Sequence, residues 1–259
     1  MSNLVAGESL RDLLEIAVDL SEKAGEITLK YFQGQFVVET KPDTSPVTIA
    51  DREAEAYIRQ AIESRFPHDG LVGEEFGETR AKARRRWIID PIDGTFSFIH
   101  GVPLYGVLIG MEQEDEPLLG VIHLPALNET VAAARGEGCH WRGQRARVSN
   151  TSQISDALWL TTDLNFDAYP AQSAGLNRLA QAAGPARTWG DCYGYALVAT
   201  GRADVMIDPQ VYVWDCAPLL PIIEEANGRF TDWRGRRTIR GDNAVASNGL
   251  LHDQVLACL

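Results

Sequence analysis

Trp87-Ile88-Ile89-Asp90-Pro91-Ile92-Asp93-Gly94-Thr95 decides how this chain is read. Trp87 to Ile89 has the pattern of a buried strand, and the acids and proline that follow predict a sharp break. Two carboxylates three residues apart thus stand at the exit of that strand. Pro91 fixes φ and turns the chain, so both acids and the Ile92 carbonyl can converge on one point. An all-oxygen donor set of this kind suits a hard divalent cation. Gly94 lets backbone approach a ligand closely. Thr95 opens a short helical stretch, Phe96 to Ile99, stopped by Gly101 and Pro103. A glycine ahead of free helix N–H groups suits an anion. Cation ligands are therefore followed at once by a phosphate cradle. Taken singly, Asp90 could cap a turn and Asp93-Gly94 could be an ordinary tight turn; the whole string argues otherwise.

Two other acidic sites extend the picture. Gly73-Glu74-Glu75 places acids at the end of a short strand, Leu71 to Glu75. Val213-Trp214-Asp215-Cys216-Ala217 opens a helix in which Asp215 is either an N-cap or a further cation ligand. Arg84-Arg85-Arg86 is either a solvated loop or a basic lid drawing in an anion. The five histidines are scattered, and His100, the only one near the motif, is expected not to be a ligand. GxSxG, HExxH, GxxxxGK[ST] and GxGxxG motifs are all absent.

The 259 residues carry 24 Lys and Arg against 36 Asp and Glu, a net charge of −12. A chain this acidic is a poor binder of nucleic acid or anionic membrane, so neither is expected as a partner. If the substrate is itself an anion, positive charge must be recruited, and metal ions supply it. No apolar run reaches the roughly 18 residues of a membrane span, and the N-terminus has no signal-peptide core. The four cysteines form no CxxC pair, which predicts reduced thiols in a cytoplasmic protein.

Apolar spacing predicts helices over Ser9 to Phe32 and Asp51 to Phe66. Val37 to Thr40 is a candidate strand and Lys41 to Pro46 a loop. Glu78 to Arg86 reads as an exposed loop. Strands are then expected at Val107 to Met111, Leu118 to His123, Glu129 to Ala134 and Gly138 to Trp141. After about residue 150 strands and helices alternate, with helices at Ala171 to Ala183, Cys192 to Gly201, Asp215 to Ala226 and Leu250 to Leu256. Pro218 is expected in the first turn of the third of these. The fold class is therefore α/β. Residues 1–150 form an α+β half with the metal and phosphate motifs, and residues 151–259 an α/β half with the last acid, in one continuous fold.

Glu74-Glu75, the Asp90 to Thr95 string, Trp214-Asp215 with Glu224-Glu225-Ala226, and Ser45 to Asp51 together resemble the inositol monophosphatase family, over nearly the whole chain. The resemblance implies a layered αβαβα sandwich, of the inositol monophosphatase/fructose-1,6-bisphosphatase type, that assembles as a homodimer. It implies a Mg2+-dependent phosphatase with two or three ions per site. Glu74, Asp90, the Ile92 carbonyl, Asp93 and Asp215 match the family's metal ligands. Thr95, with Glu74 and an early acid, would ready the attacking water. The early acid is carried to Asp43, because Ser45 stands where inositol-type members have Asp. Asp93, Gly94 and Thr95 would meet the phosphate.

Within the family, Trp189-Gly190-Asp191-Cys192-Tyr193-Gly194-Tyr195 and Pro103-Leu104-Tyr105-Gly106 resemble the histidinol-phosphate phosphatase branch, though Phe96 stands where that branch usually has Lys. Histidinol phosphate carries an ammonium and an imidazole. Asp191 and Asp208 could pair with these, and Tyr193 or Tyr195 could stack; Asp191 could equally be a helix N-cap. The expectation is hydrolysis of histidinol phosphate to histidinol and phosphate, a step of histidine biosynthesis. The alternatives are an inositol-1-monophosphatase or broad-specificity sugar phosphatase and, from another class, a non-catalytic binding protein on the same fold.

Overall fold

The computed structural model describes residues 8–40, 46–165 and 168–259. Helix α1 (Leu10–Leu29) is capped by Ser9, which accepts the Asp12 N–H while the Asp12 carboxylate accepts the Ser9 N–H. Leu13, Ala17, Leu20 and Ala24 form its buried stripe. Helix α2 (Ile49–Arg65) repeats the device with Thr48 and Asp51 and buries Ala54, Ile58 and Ile62. A short antiparallel pair, β1 (Val38–Thr40) and β2 (Pro46–Thr48), leads into it.

The first half folds into an eight-stranded sheet. From one edge it runs β10 (Gln144–Arg145), β9 (Gly138–Trp141), β8 (Glu129–Ala134), β7 (Glu116–Leu124), β6 (Gly106–Gln113), β5 (Arg85–Asp93), β3 (Gly70–Gly73) and β4 (Gly77–Thr79). Only β3 and β5 are parallel neighbours. Alternation along β5 covers both faces: Trp87 and Ile89 pack beneath α1 and α2, whereas Ile88 faces the opposite core.

The second half supplies a five-stranded sheet, in the order β12 (Ala186–Arg187), β11 (Trp159–Leu160), β13 (Val205–Asp208), β15 (Ala244–Ser247) and β14 (Arg229–Thr231). Helices α5 (Asp191–Ala199) and α6 (Val213–Glu225) lie between the two sheets. Helices α4 (Ser173–Ala182) and α7 (His252–Cys258) cover the outer face of the second sheet. On β13, Val205 and Ile207 face α4 and α7 while Met206 faces α5 and α6. The layers are helix, sheet, helix, sheet, helix.

One packing detail places α6. Gly110 and Gly120 are cross-strand partners on β6 and β7, and the backbone of Ala217 and Pro218 lies directly on them. A Cβ at Gly120 would come within 2.0 Å of the Pro218 carbonyl oxygen. The bare glycine pair thus lets α6 sit close to the sheet, with Asp215 one turn nearer its start.

Four expectations are corrected. β5 does not end at Ile89: it continues to Asp93, and the predicted break is a register shift between Asp90 and Asp93. The segment from Glu78 is not all loop, because β4 pairs with β3 and Arg85 begins β5. Arg85 is buried against Asp69, and Arg86 pairs with Glu112, so these side chains serve the far end of β5 rather than a lid. Pro218 lies in the second turn of α6, because that helix starts at Val213. Strand β14 escaped notice: three residues between a glycine and a charged turn carry almost no pattern.

Candidate active site

The register shift turns the end of β5 inward. Asp90 still pairs with Leu108 and Asp93 with Gly106, but the residues between them bulge. Asp90 is buried, and one of its oxygens accepts the Ile92 N–H at 3.0 Å. Asp93 accepts the N–H of Cys192 from the first turn of α5. Asp215 is the third residue of α6; it reaches back to accept the Tyr212 N–H at 2.8 Å. It is therefore not the N-cap, a place held by Tyr212. Carboxylate oxygens of Asp90, Asp93 and Asp215 all lie within 4.8 Å of one another. Glu74, just past β3, shares a hydrogen bond with Asp90, and so does Asp215.

So many acids crowded together around one buried and several half-buried positions cannot all be ionised unaided. Burial, then the charges of Glu74, Asp93 and Asp215, push Asp90 well above the usual carboxylate range. Burial, reinforced by Asp215, pushes Asp93 up to about 8. Burial and the Glu74 charge raise Asp215 to about 7, against the opposing pull of the Tyr212 N–H. A divalent cation removes this conflict. The donors are all hard oxygens, as Mg2+ requires, and no histidine belongs to the cluster among the described residues.

Gly94 follows with φ +84°, open to glycine at little cost. A Cβ there would also come within 3.0 Å of the Asp191 carboxylate. Helix α3 (Thr95–Ile99) starts at once, and the Thr95 hydroxyl donates to the Ile92 carbonyl at 3.0 Å. Asp43 lies outside the described residues.

The cleft in front of the acids is lined by Asp191, Thr162, Asp163, Tyr169, Tyr212 and Trp214, among others; no lysine or arginine occurs among the described lining residues. Asp191 is the first residue of α5, not its cap, and adopts a left-handed φ of +50°. Its N–H donates to the Thr162 hydroxyl at 2.9 Å. Burial and the charges of Asp93 and Asp208 raise its carboxyl well above the usual range. Asp208 is buried, and its two oxygens accept the Thr162 N–H and the Tyr195 hydroxyl. Tyr195 is itself buried and therefore cannot stack on a ligand. Tyr193 is half-buried against the core, away from the cleft lining. Helical rotation explains both: Asp191 and Tyr195 are one turn apart, while Tyr193 points elsewhere. The aromatic wall is instead Tyr212 stacked on Trp214, with ring centroids 5.1 Å apart. Phe96 is an exposed rim residue stacked against His100.

Thr162, Asp163 and Tyr169 belong to no recognisable motif, so nothing in the sequence marks them as cleft residues. Glu55 and Arg59, likewise not predicted from the sequence, do carry a signal there: two charged residues on the same α2 face as the apolar stripe.

The inositol monophosphatase family model matches residues 9–259. A histidinol-phosphatase of Chlorobaculum parvum is 47% identical over 248 residues, which cover 95% of this chain and 96% of that protein. A histidinol-phosphatase of Mycobacterium tuberculosis is 39% identical over 254 residues, covering 96% and 98%. Among solved structures, an IMPase of Thermotoga maritima superposes with a TM-score of 0.87 at 33% identity, covering 95% of this chain and 96% of that one.

Proposed function

The chain belongs to the inositol monophosphatase family and is a phosphoric monoester hydrolase; on that premise we propose that it hydrolyses histidinol phosphate to histidinol and phosphate, using Mg2+. The observation that carries the chemistry is the convergence of Asp90, Asp93 and Asp215 within 4.8 Å, at a cleft without a lining cation of its own among the described residues. Glu74, Asp90, the Ile92 carbonyl, Asp93 and Asp215 are the groups that would hold two or three Mg2+ ions. Bound there, Mg2+ neutralises phosphate charge and makes water a better nucleophile.

The remaining work falls to the chain's own groups. The Thr95 hydroxyl, anchored on the Ile92 carbonyl, orients the attacking water together with Glu74 and the early acid carried to Asp43. The Gly94 and Thr95 N–H groups beside Asp93 receive phosphate oxygens as charge spreads over them in the transition state. Asp191 faces the cleft and meets the substrate ammonium. Asp208 supports it indirectly, because Asp208 holds the Thr162 N–H while the Thr162 hydroxyl holds the Asp191 N–H. With Asp208 so engaged and Tyr193 turned away, stacking on the imidazole passes to the Tyr212–Trp214 wall.

The substrate assignment rests on the two histidinol-phosphatases matched end to end and on the acidic cleft. The homodimer is carried from the family resemblance. A cytoplasmic setting is supported by four free cysteines; no described helix is long and apolar enough to cross a membrane.

The test compares Asp191→Asn with the parent on histidinol phosphate and on inositol 1-phosphate. A charge-assisted hydrogen bond is worth ~1.5–3 kcal/mol, and each ~1.4 kcal/mol is tenfold. The variant should lose roughly 10- to 150-fold in kcat/KM on histidinol phosphate and little on inositol 1-phosphate, whose alcohol portion carries no cation. Equal losses on both would make Asp191 a structural residue and leave an inositol or broad sugar phosphatase as the better reading.

A further inference from the structure

Helix α2 carries a buried polar ladder on the face turned toward the active site. Asp51, Glu55 and Arg59 recur every four residues, and all three are buried. Glu55 is fully enclosed. One of its oxygens accepts the Glu75 N–H at 2.7 Å. The other accepts the Phe76 N–H at 3.2 Å and the Arg59 Nε at 2.6 Å. Arg59 in turn donates to the Gly77 carbonyl and lies over the Phe76 ring at 5.9 Å. The turn after β3 is therefore gripped at three successive residues by one ion pair.

Glu74 is the residue immediately before that grip. Its own N–H donates to Ile89 of β5 at 3.2 Å, so its backbone is fixed on one side by the sheet and on the other by Glu55. Gly73 makes the close approach possible, since a Cβ there would lie 2.0 Å from the Glu55 oxygen. A buried carboxylate with this many donors is costly unless each bond is made. Its cost is repaid by a turn that cannot wander. We propose that Glu55, with Arg59, is a positioning residue that aims the Glu74 carboxylate at Asp90 and thereby sets the affinity of the metal site. The inference rests on the reading of Glu74 as a metal ligand.

Calorimetric titration of the metal-free full-length protein with Mg2+ tests it, read beside the melting temperature. Glu55→Gln keeps the shape but replaces one acceptor oxygen by a donor facing other donors. It should weaken Mg2+ binding about 10-fold, as lost outer supports of metal ligands do. Arg59→Lys should shift it in the same direction by less. Asp69→Asn is the control, since it breaks the buried Arg85 pair at the opposite end of β3. That variant should melt earlier with Mg2+ affinity unchanged. Glu74→Gln separates the two levels of the argument. If Glu74→Gln loses affinity while Glu55→Gln and Arg59→Lys bind like the parent, the positioning role is overturned and the site stands. If Glu74→Gln also binds like the parent, the ligand reading falls and the inference with it. Should Glu55→Gln fail to fold, Arg59→Lys decides alone, parent-like binding being the adverse result.

Discussion

Stripping divalent cations and raising the pH should loosen this protein, by an amount set by the acids that β5 and α6 bring together. Burial and neighbouring charge lift Asp93 to about 8 and Asp215 to about 7, from 3.8 for an ordinary aspartate. The metal-free native state therefore keeps protons that the unfolded chain has released. Stability from such a group is complete below its unfolded pKa and is lost as the pH climbs through the folded value. The slope is about 1.4 kcal/mol per pH unit for each proton retained. Between about pH 7 and about pH 8, Asp215 is finishing its titration and Asp93 is entering it. Asp93 and Asp215 alone give a loss of ~1–2 kcal/mol, or roughly 2–8 °C of melting temperature for a chain of this size, and Asp90, also raised by burial and the Glu74 charge, adds to it. His123 and His252 do not confuse the window. Burial holds both near pKa 4, so above pH 7 they are close to neutral whether folded or not. Saturating Mg2+ should abolish or reverse the slope, because a bound cation favours the ionised acids. Asp93→Asn supplies the complementary measurement: the metal-free variant should be more stable than the parent near pH 8 while losing its Mg2+-induced stabilisation. Urea midpoints with chelator and with Mg2+ across this range are the assay. A metal-free parent no less stable at pH 8 than at pH 7 would refute the account of crowded, proton-holding acids.

Two further substitutions probe the scaffold. Thr95→Ala removes the hydroxyl but no carboxylate and no N–H group, so turnover should fall by about 10² while calorimetric Mg2+ affinity stays close to the parent's; unimpaired turnover would remove Thr95 from the water-orienting role. Gly120→Ala drives a methyl against the Pro218 carbonyl, which should cost ~1–3 kcal/mol in a denaturant titration and weaken Mg2+ binding through the displaced Asp215; parent-like values for both would show that α6 can shift without consequence.

How far such a site can be read from residues depends on whether its parts are local. Asp90 to Thr95 form one continuous string, and proline, acid spacing and glycine all constrain the same few bonds, so its purpose was legible. Asp215 was legible as the start of a helix, yet its role depends on where that helix lies. That placement comes from Gly110 and Gly120, more than ninety residues earlier, which alone mean only weak strand positions. The strands from β5 to β9 are visible as apolar runs broken by Gly, Pro and Asn, because residues on both faces of that sheet are buried. Strand β14 and the extension of β5 past Ile89 were not, since pairing partners rather than propensity create them. Specificity was hardest to read. Asp191 and Asp208 both carry the right charge, and only the fold reveals that Asp208 is already committed to Tyr195 and Thr162. A charge in a sequence is a candidate; whether its hydrogen-bonding capacity is spent or open to a ligand is settled by residues that the chain brings from elsewhere. The same logic explains Glu55, whose meaning lies wholly in the turn it grips, twenty residues away.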